Sequence, residues 1–412
     1  MNDQTSKPGL LPVEEGRRRI LDMVRPVAGR EQTHIRAALG RVLAEPVIST
    51  IDVPPYANSA MDGYALRGAD LPAEGTARFA LIGRAMAGAP FDGEVGPGQC
   101  VRIMTGAKIP AGADTVIMQE KVQADGDEIV VSSGHHAGEN VRHPGEDMAK
   151  GDEVLSPGKR LMPAELGVLA SLGIAEVRVW RRLRVAFFST GDELASLGQP
   201  LGEGQIYDSN RYTLYGMLSR LGVELLDMGV IPDQREAVHR AFTEAMQLAD
   251  VVITSGGVSV GEADYVKETL DEMGRIEFWR MAMKPGKPLA VGQLGEAVFF
   301  GLPGNPVSAM ATFYQFVQPA LQKMAGADQE PPLLLRMRAA EDLKKRPGRL
   351  EYRRGFMSRG EDGEWSVRST GRQGSHVLTS MSRANCFVIL PAESAGVEAG
   401  EMVEVHPFAG LI

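Results

Sequence analysis

An α/β core flanked by β-rich segments is the fold class that the sequence predicts. It comprises a central doubly wound, mostly parallel sheet, a β-rich insertion-like N-terminal domain and a C-terminal β-barrel. Three observations predict it. Residues 182–330 alternate uniformly apolar short runs with amphipathic helical stretches, the pattern of strands buried on both faces and joined by crossover helices. Residues 50–146 and 331–412 carry short apolar runs between turn signals, which read as small β structures. The 48 glycines and 25 prolines in 412 residues argue against an all-helical bundle.

In chain order, Leu11, Val13, Ile20, Leu21 and Val24 lie on one helical face, so a helix is expected from about Val13 to Val24, stopped by Pro26. This helix (8–25) is expected to pack on the α/β domain. Residues 26–49 and 146–181 are read as a linking α+β domain with a helix from Pro163 to Leu172 ended by Gly173. Ten of the thirty residues from Gly83 to Gly112 are Gly or Pro, so no helix persists there. The runs Phe79–Ile82, Cys100–Met104, Thr115–Met118 and Glu128–Val131 suggest a small antiparallel barrel or sandwich over 50–145. In the α/β domain (182–330), strands are expected at Leu183–Phe188, Val223–Met228, Val251–Thr254 and Val298–Phe300. Helices are expected at Ser209–Leu221, around Val238–Leu248 and at about Ala263–Met273. Pro331-Pro332 marks the clearest boundary, and five short strands in 333–412 fit a β-barrel.

The formal net charge of −9 argues against general nucleic-acid binding. Two cysteines, Cys100 and Cys386, exclude a disulfide framework and a cysteine-only metal site. The polar start does not read as a signal peptide, and no apolar run approaches the ~20 residues a membrane span needs. A cytoplasmic-type soluble enzyme is the expectation.

Ligands of open parallel sheets bind beyond the carboxyl ends of the strands. The loops there are Ser189–Glu193, Gly229–Asp233, Ser255–Asp264 and Gly301–Pro306. The glycine loop Ser255, Gly256, Gly257, Ser259, Gly261 lets backbone N–H groups approach a phosphate just before a helix, although an ordinary βα turn has the same glycines. Glu193, Asp208, Asp233 and Asp264 lie near strand ends, and hard carboxylates beside a phosphate suit Mg²⁺. Each acid alone is more often a cap or a solvated loop residue. Lys284 and Lys287 flank a Pro-Gly turn as a clamp for a multiply charged anion. Arg336 to Gly360 holds nine basic residues and three acids. It reads as a solvated basic face or as an anion-facing patch with Arg354 as a fork donor. His135, His136 and His143 lack metal-ligand spacing and read as solvated loop residues.

These motifs together resemble the MoeA family of molybdopterin molybdenumtransferases, also seen in the E domain of gephyrin. The matching segments are Asn58–Ala65, Met104–Ala107, Gly145–Asp147, Ser189–Leu194, Tyr207–Asn210, Ser255–Asp264, Lys284–Pro288, Gly301–Ser308 and Gln373–His376. They run in order along nearly the whole chain. The first and last are the segments that single out this family. Many bacterial relatives carry Lys after the Trp preceding the clamp, whereas here Trp279 is followed by Arg280.

The resemblance implies an elongated four-domain homodimer with a shared active site, between the α/β domain of one subunit and the C-terminal barrel of the other. It implies a reaction of adenylated molybdopterin with molybdate, using Mg²⁺, that yields molybdenum cofactor and AMP. A transient contact with the adenylating enzyme is also implied, with no nucleic acid or membrane partner. On the resemblance, Asp62, Thr105, Asp147, Glu193, Asp233, Asp264 and Lys284 are expected to be catalytic, with Glu193, Asp233 and Asp264 around the metal. Phosphate and pterin fall to the glycine loop, Asp208, Ser209, Asn210, Pro303, Gly304, Asn305 and Pro306. Molybdate falls to Lys287, Ser308, Arg354 and Ser375. The alternatives are a pterin or nucleotide adenylyltransferase or phosphohydrolase on the same α/β domain, and a non-catalytic gephyrin-like scaffold.

Overall fold

The computed structural model of the protein describes residues 9–256 and 265–408. Helix α1 spans Val13–Met23. Its buried Val13 and Ile20, followed by Val24, join the core of the α/β region. Glu14, Glu15 and Arg17 to Arg19 pair along its outer face, each pair adding only about 0.2–0.5 kcal/mol. Residues 26–49 and 146–181 share one core around Leu43, Leu161, Leu169 and Val179. Within it Arg30–His34 pairs antiparallel with Glu176–Trp180, and α2 (Pro163–Ser171) covers one side.

Six strands follow in the N-terminal β region: β1 (Gly63–Leu66), β2 (Thr76–Ala85), β3 (Gln99–Ile103), β4 (Thr115–Met118), β5 (Val122–Asp125) and β6 (Glu128–Ser132). They form one sheet in the order β4-β1-β3-β2-β6-β5. Set against the expected antiparallel barrel or sandwich, it departs from a closed antiparallel barrel in two ways. Strands β2 and β3 run parallel, and no pairing joins the two edge strands among the described residues. Both faces are nonetheless buried. Ala65, Val101, Ile103 and Val116 pack on one side, and Leu66, Cys100 and Ile117 on the other. Loop residues Val95, Ala107 and Ile109 complete the first of these cores, whereas the second is made almost wholly by the strands themselves.

The α/β sheet is built from β7 (Arg184–Thr190), β8 (Glu224–Ile231), β9 (Val251–Ser255), β10 (Gly274–Arg280), β12 (Pro288–Leu294) and β13 (Ala297–Leu302), with the two-residue β11 (Met283–Lys284) lying outside it. Its order is β8-β7-β9-β13-β12-β10. The first four strands are parallel, and β12 is antiparallel to both its neighbours. Alternate residues enter two separate cores. Val185, Phe187, Val251 and Ile253 face α1 and α3 (Ser209–Arg220). Ala186, Phe188 and Val252 face α4 (Arg235–Leu248) and α5 (Tyr265–Met273). Burial on both faces explains strands without polar alternation.

Two elements escaped the sequence reading. The β10–β12 pair extends the sheet, and a continuous helix runs through α6 (Pro306–Thr312), a π-helical turn at Phe313–Val317, and α7 (Gln318–Met324). No residue of that helix is exposed, so it lacks the polar face that produces a helical period.

The C-terminal region is a closed barrel of five strands: β14 (Leu335–Ala339), β15 (Leu350–Arg359), β16 (Trp365–Ser369), β17 (Cys386–Leu390) and β18 (Met402–Pro407). The ring runs β15-β16-β14-β18-β17 and returns to β15. It is fastened to the α/β region of its own chain. Strand β11 pairs with β15 at Leu350 and Glu351, and Tyr352, Met381 and Phe387 enter the α/β core. No described helix is long and apolar enough to cross a membrane.

Candidate active site at the ends of the parallel strands

The chain leaves β7 for β8 on one side and returns to β9 on the other, so the strand order reverses between β7 and β9. A crevice opens beyond the carboxyl ends at such a reversal. Ser189 and Ser255 lie side by side there. Gly256 follows with φ +94°, and a Cβ on it would come within 2.9 Å of the Thr190 carbonyl oxygen, so only glycine lets the chain pass the end of β7. Gly257, Ser259, Gly261 and Asp264 lie outside the described residues.

Asp208 caps α3, its carboxylate accepting from the Arg211 N–H at 3.1 Å. Buried Asn210 donates through Nδ2 to Ser255 Oγ and to the Gly304 carbonyl, both at 2.7 Å. Ser209 is exposed. Asp208 Oδ2, Asn210 Oδ1, Ser189 Oγ and Thr254 Oγ1 are buried without hydrogen-bond partners. Such groups are rare unless a ligand or water completes them. Asp208 Oδ2 faces Arg211 Nε at 3.6 Å, whereas Asn210 Oδ1 is an obligate acceptor that suits a ligand with N–H or O–H donors.

On the next loops, the Asp233 N–H donates to Asp192 Oδ1 at 3.1 Å. Burial, with the charges of Asp192 and Glu193 added, raises the Asp233 carboxyl above its ordinary value. A divalent cation would relieve that repulsion. Among the described residues no trio of His, Cys, Asp or Glu is placed to hold a metal on its own. Mg²⁺ needs fewer protein ligands, since it keeps waters and bridges to phosphate, so the donor set fits it. Asp192 was missed in the sequence, although it directly precedes Glu193.

The clamp sits at the junction with the barrel. Gly286 has φ +96°, and a Cβ there would lie 2.6 Å from Thr312 Oγ1, so the turn is pressed against α6. Lys284 Nζ donates to Glu351 Oε2 at 3.3 Å, and Arg353 holds the other oxygen of that buried carboxylate. Lys287 is exposed. Buried Pro303, then exposed Gly304 and Asn305, lead into α6, which begins at Pro306 and carries buried Ser308 in its first turn. The Val307 N–H donates to the Ser375 carbonyl at 3.1 Å.

The Ser375 segment of the barrel meets the α/β domain within one chain, because β11–β15 pairing and a shared core dock the two domains. One expectation is corrected by burial. Arg354 is not part of an exposed anion-facing patch. It is 1% exposed, with Nε donating to Ser380 Oγ at 3.0 Å and Nη2 to the Gly374 carbonyl at 3.2 Å. Burial pushes its guanidinium down to about 10, still charged at neutral pH. Arg354 therefore holds the Gln373–His376 loop from behind. His135 also departs from a solvated role, pairing through Nδ1 with Glu139 at 3.0 Å.

Asp62, Thr105 and Asp147 are exposed. Asp62 Oδ1 accepts from the Thr105 N–H at 2.7 Å and from its hydroxyl at 2.8 Å. These two bonds, with Arg102 nearby, hold the Asp62 carboxyl below its ordinary value. No hydrogen bond or ion pair joins residues 50–147 to residues 182–408 among the described residues.

Comparison with known proteins follows the same division. Residues 11–173 match the model "MoeA N-terminal region (domain I and II)", 186–323 match "Probable molybdopterin binding domain", and 336–408 match "MoeA C-terminal region (domain IV)". A molybdopterin molybdenumtransferase of Haemophilus influenzae is 47% identical over 406 residues, covering 98% of this chain and 100% of the relative. The chain belongs to the MoeA family. Another MoeA-type relative, a molybdopterin molybdenumtransferase of Nostoc, is 37% identical over 94% of this chain and 91% of its own. The solved MoeA protein of Pyrococcus horikoshii superposes with a TM-score of 0.84 at 31% identity, covering 97% of this chain and all of that one.

Proposed function

We propose that this MoeA-family chain is a molybdopterin molybdenumtransferase, which joins molybdenum from molybdate to adenylated molybdopterin and releases AMP. The observation that carries this reading is the meeting, in one chain, of the orphaned polar atoms at the β7–β9 crevice, the carboxylates beside it, and the lysine clamp against α6 and Ser375. Asn210, Asp208 and Ser255 bind and orient the donor-rich pterin end. Lys284, Lys287, Ser308 and Ser375 position the oxyanion, a tetrahedral dianion matched to cations and hydroxyls. Glu193 and Asp233, with Asp264, would hold Mg²⁺, which when bound offsets charge on the phosphoanhydride. Catalysis is then positioning and electrostatic stabilisation. Burial raises both cysteine thiols to about 12, so neither serves as nucleophile. Their free, buried state accords with a cytoplasmic setting.

The reading includes a homodimer. Leu197, Leu201, Ile206, Tyr207, Tyr212 and Tyr215 are all exposed within a short stretch, a concentration of apolar surface that a second copy would cover. Since Asp62, Thr105 and Asp147 have no bond to the α/β loops of their own chain, the dimer is read as bringing them to the partner's crevice. The test is AMP release from purified adenylated molybdopterin with molybdate, with and without Mg²⁺. Release that depends on both supports the transferase. Net AMP formation from ATP and free pterin would replace this reading with an adenylyltransferase.

A further inference from the structure

Beside the clamp lies a cleft of about 570 Å³, lined by Lys284, Lys344, Lys345, Arg346, Arg349 and Glu351 as its charged groups. We infer that this cleft is a second station for a tetrahedral dianion, a free metallate or a phosphoryl group, set next to the clamp. Its role in delivering that anion to Lys284 rests on the transferase reading; the binding itself does not.

The charge balance is one-sided. Glu351, the only acid of the lining, is 4% exposed and already neutralised by Lys284 and Arg353. Lys344, Arg346 and Arg349 have no ion-pair partner among the described residues. Single exposed cations bind weakly, but several held in a concave wall focus potential on one point.

The wall is also fixed. Lys345 turns inward, its ammonium donating to the carbonyls of Pro391 at 2.6 Å and Ser394 at 2.8 Å. The Gly348 N–H donates to the Ala392 carbonyl at 2.7 Å, and Gly348 has φ +109°, a conformation that favours glycine. Lys344 pairs in register with Gly396. Backbone and the half-buried Lys345 thus hold the turn, leaving three cations displayed from a braced frame. The volume lies within the ~300–1,000 Å³ of small-ligand sites. A bare oxyanion or a phosphomonoester can enter.

Titration calorimetry on the full chain without pterin tests this, using inorganic molybdate and AMP as separate probes. The variant carries Lys344→Gln, Arg346→Gln and Arg349→Gln together. At least a tenfold weakening of molybdate binding at one site of the wild type, with the Lys287→Ala variant retaining that site, assigns a free oxyanion to the cleft. The same weakening for AMP alone assigns a phosphoryl group. Unchanged binding of both probes overturns the inference. Circular dichroism checks folding; should the triple variant fail that check, Arg346→Glu alone is read by the same titrations. Failure of wild-type AMP release would overturn the transferase reading while leaving these binding results intact.

Discussion

Asp62 is held ionised by its neighbour's backbone and hydroxyl, so each donor's share of the effect can be measured. Thr105→Val keeps the N–H and removes the hydroxyl. The Asp62 pKa is expected to rise toward, without reaching, its ordinary value, read from the carboxyl carbon shift in an NMR titration. Because the folded pKa is depressed, the contribution is present above the unfolded value near ~4 and is lost as pH falls through the folded one. Asp233 has the opposite sign. Its raised pKa favours the folded state while protonated, and that contribution disappears as pH rises through the raised value. Asp233→Asn is therefore expected to gain thermal stability relative to the metal-free wild type as pH rises from 4 to 7.5, while Mg²⁺-dependent AMP release falls. A constant difference in melting temperature across that range would remove the electrostatic account. At Arg354, truncation to Ala leaves buried Ser380 and half-buried Gly374 without their donor beside a cavity. A loss of about 3 kcal/mol is expected, seen as a lower urea midpoint; an unchanged midpoint would show that the fork is dispensable.

At the scale of elements, close approach decides which glycines are irreplaceable. Gly63 opens β1 between β3 and β4. A Cβ there would fall 2.1 Å from the Ile117 carbonyl oxygen and 2.9 Å from its carbon. Those atoms belong to a paired strand and cannot swing aside. Gly63→Ala is expected to destabilise the chain by at least about 2 kcal/mol, with strong loss of hydrogen-exchange protection in β1 and β4. By contrast, Gly16 in α1 faces the tip of Met281 at 2.4 Å. A methionine end can rotate away, so Gly16→Ala is expected to be the milder change in the same denaturation assay.

For the whole molecule, docking of the barrel onto its own α/β domain determines which defects can complement. Asp62→Ala and Asp233→Ala sit on regions that share no hydrogen bond or ion pair among the described residues. Each homodimer is expected to be inactive. After subunit exchange, half of the molecules are heterodimers with one intact site, so about a quarter of wild-type activity should return if sites are independent. Asp233→Ala mixed with Ser375→Ala should not recover, since both residues lie on one chain's crevice. The reverse outcome would restore a site divided between α/β domain and barrel. Ile206→Glu with Tyr215→Glu is expected to shift sedimentation from dimer to monomer.

The alternating apolar runs of residues 182–330 determined the parallel strands and their helices, because burial on both faces writes itself into composition. Five barrel strands were legible from turn spacing, and the carboxylates of the proposed site were chosen because ligands gather beyond strand ends. Whole-chain similarity to known transferases then agreed with the motifs from Asn58 to His376. Tertiary structure alone decided the rest. The helix from Pro306 to Met324 shows no period because all its sides are covered. The basic run around Arg354 reads as one surface in sequence, yet a period of two in β15 sends Arg354 inward to Ser380 and Gly374. Lys344, Arg346 and Arg349 remain on a turn facing the clamp. The meeting of Val307 with Ser375 depends on how two domains dock, and docking is set by shape and shared core, which no local pattern of residues records.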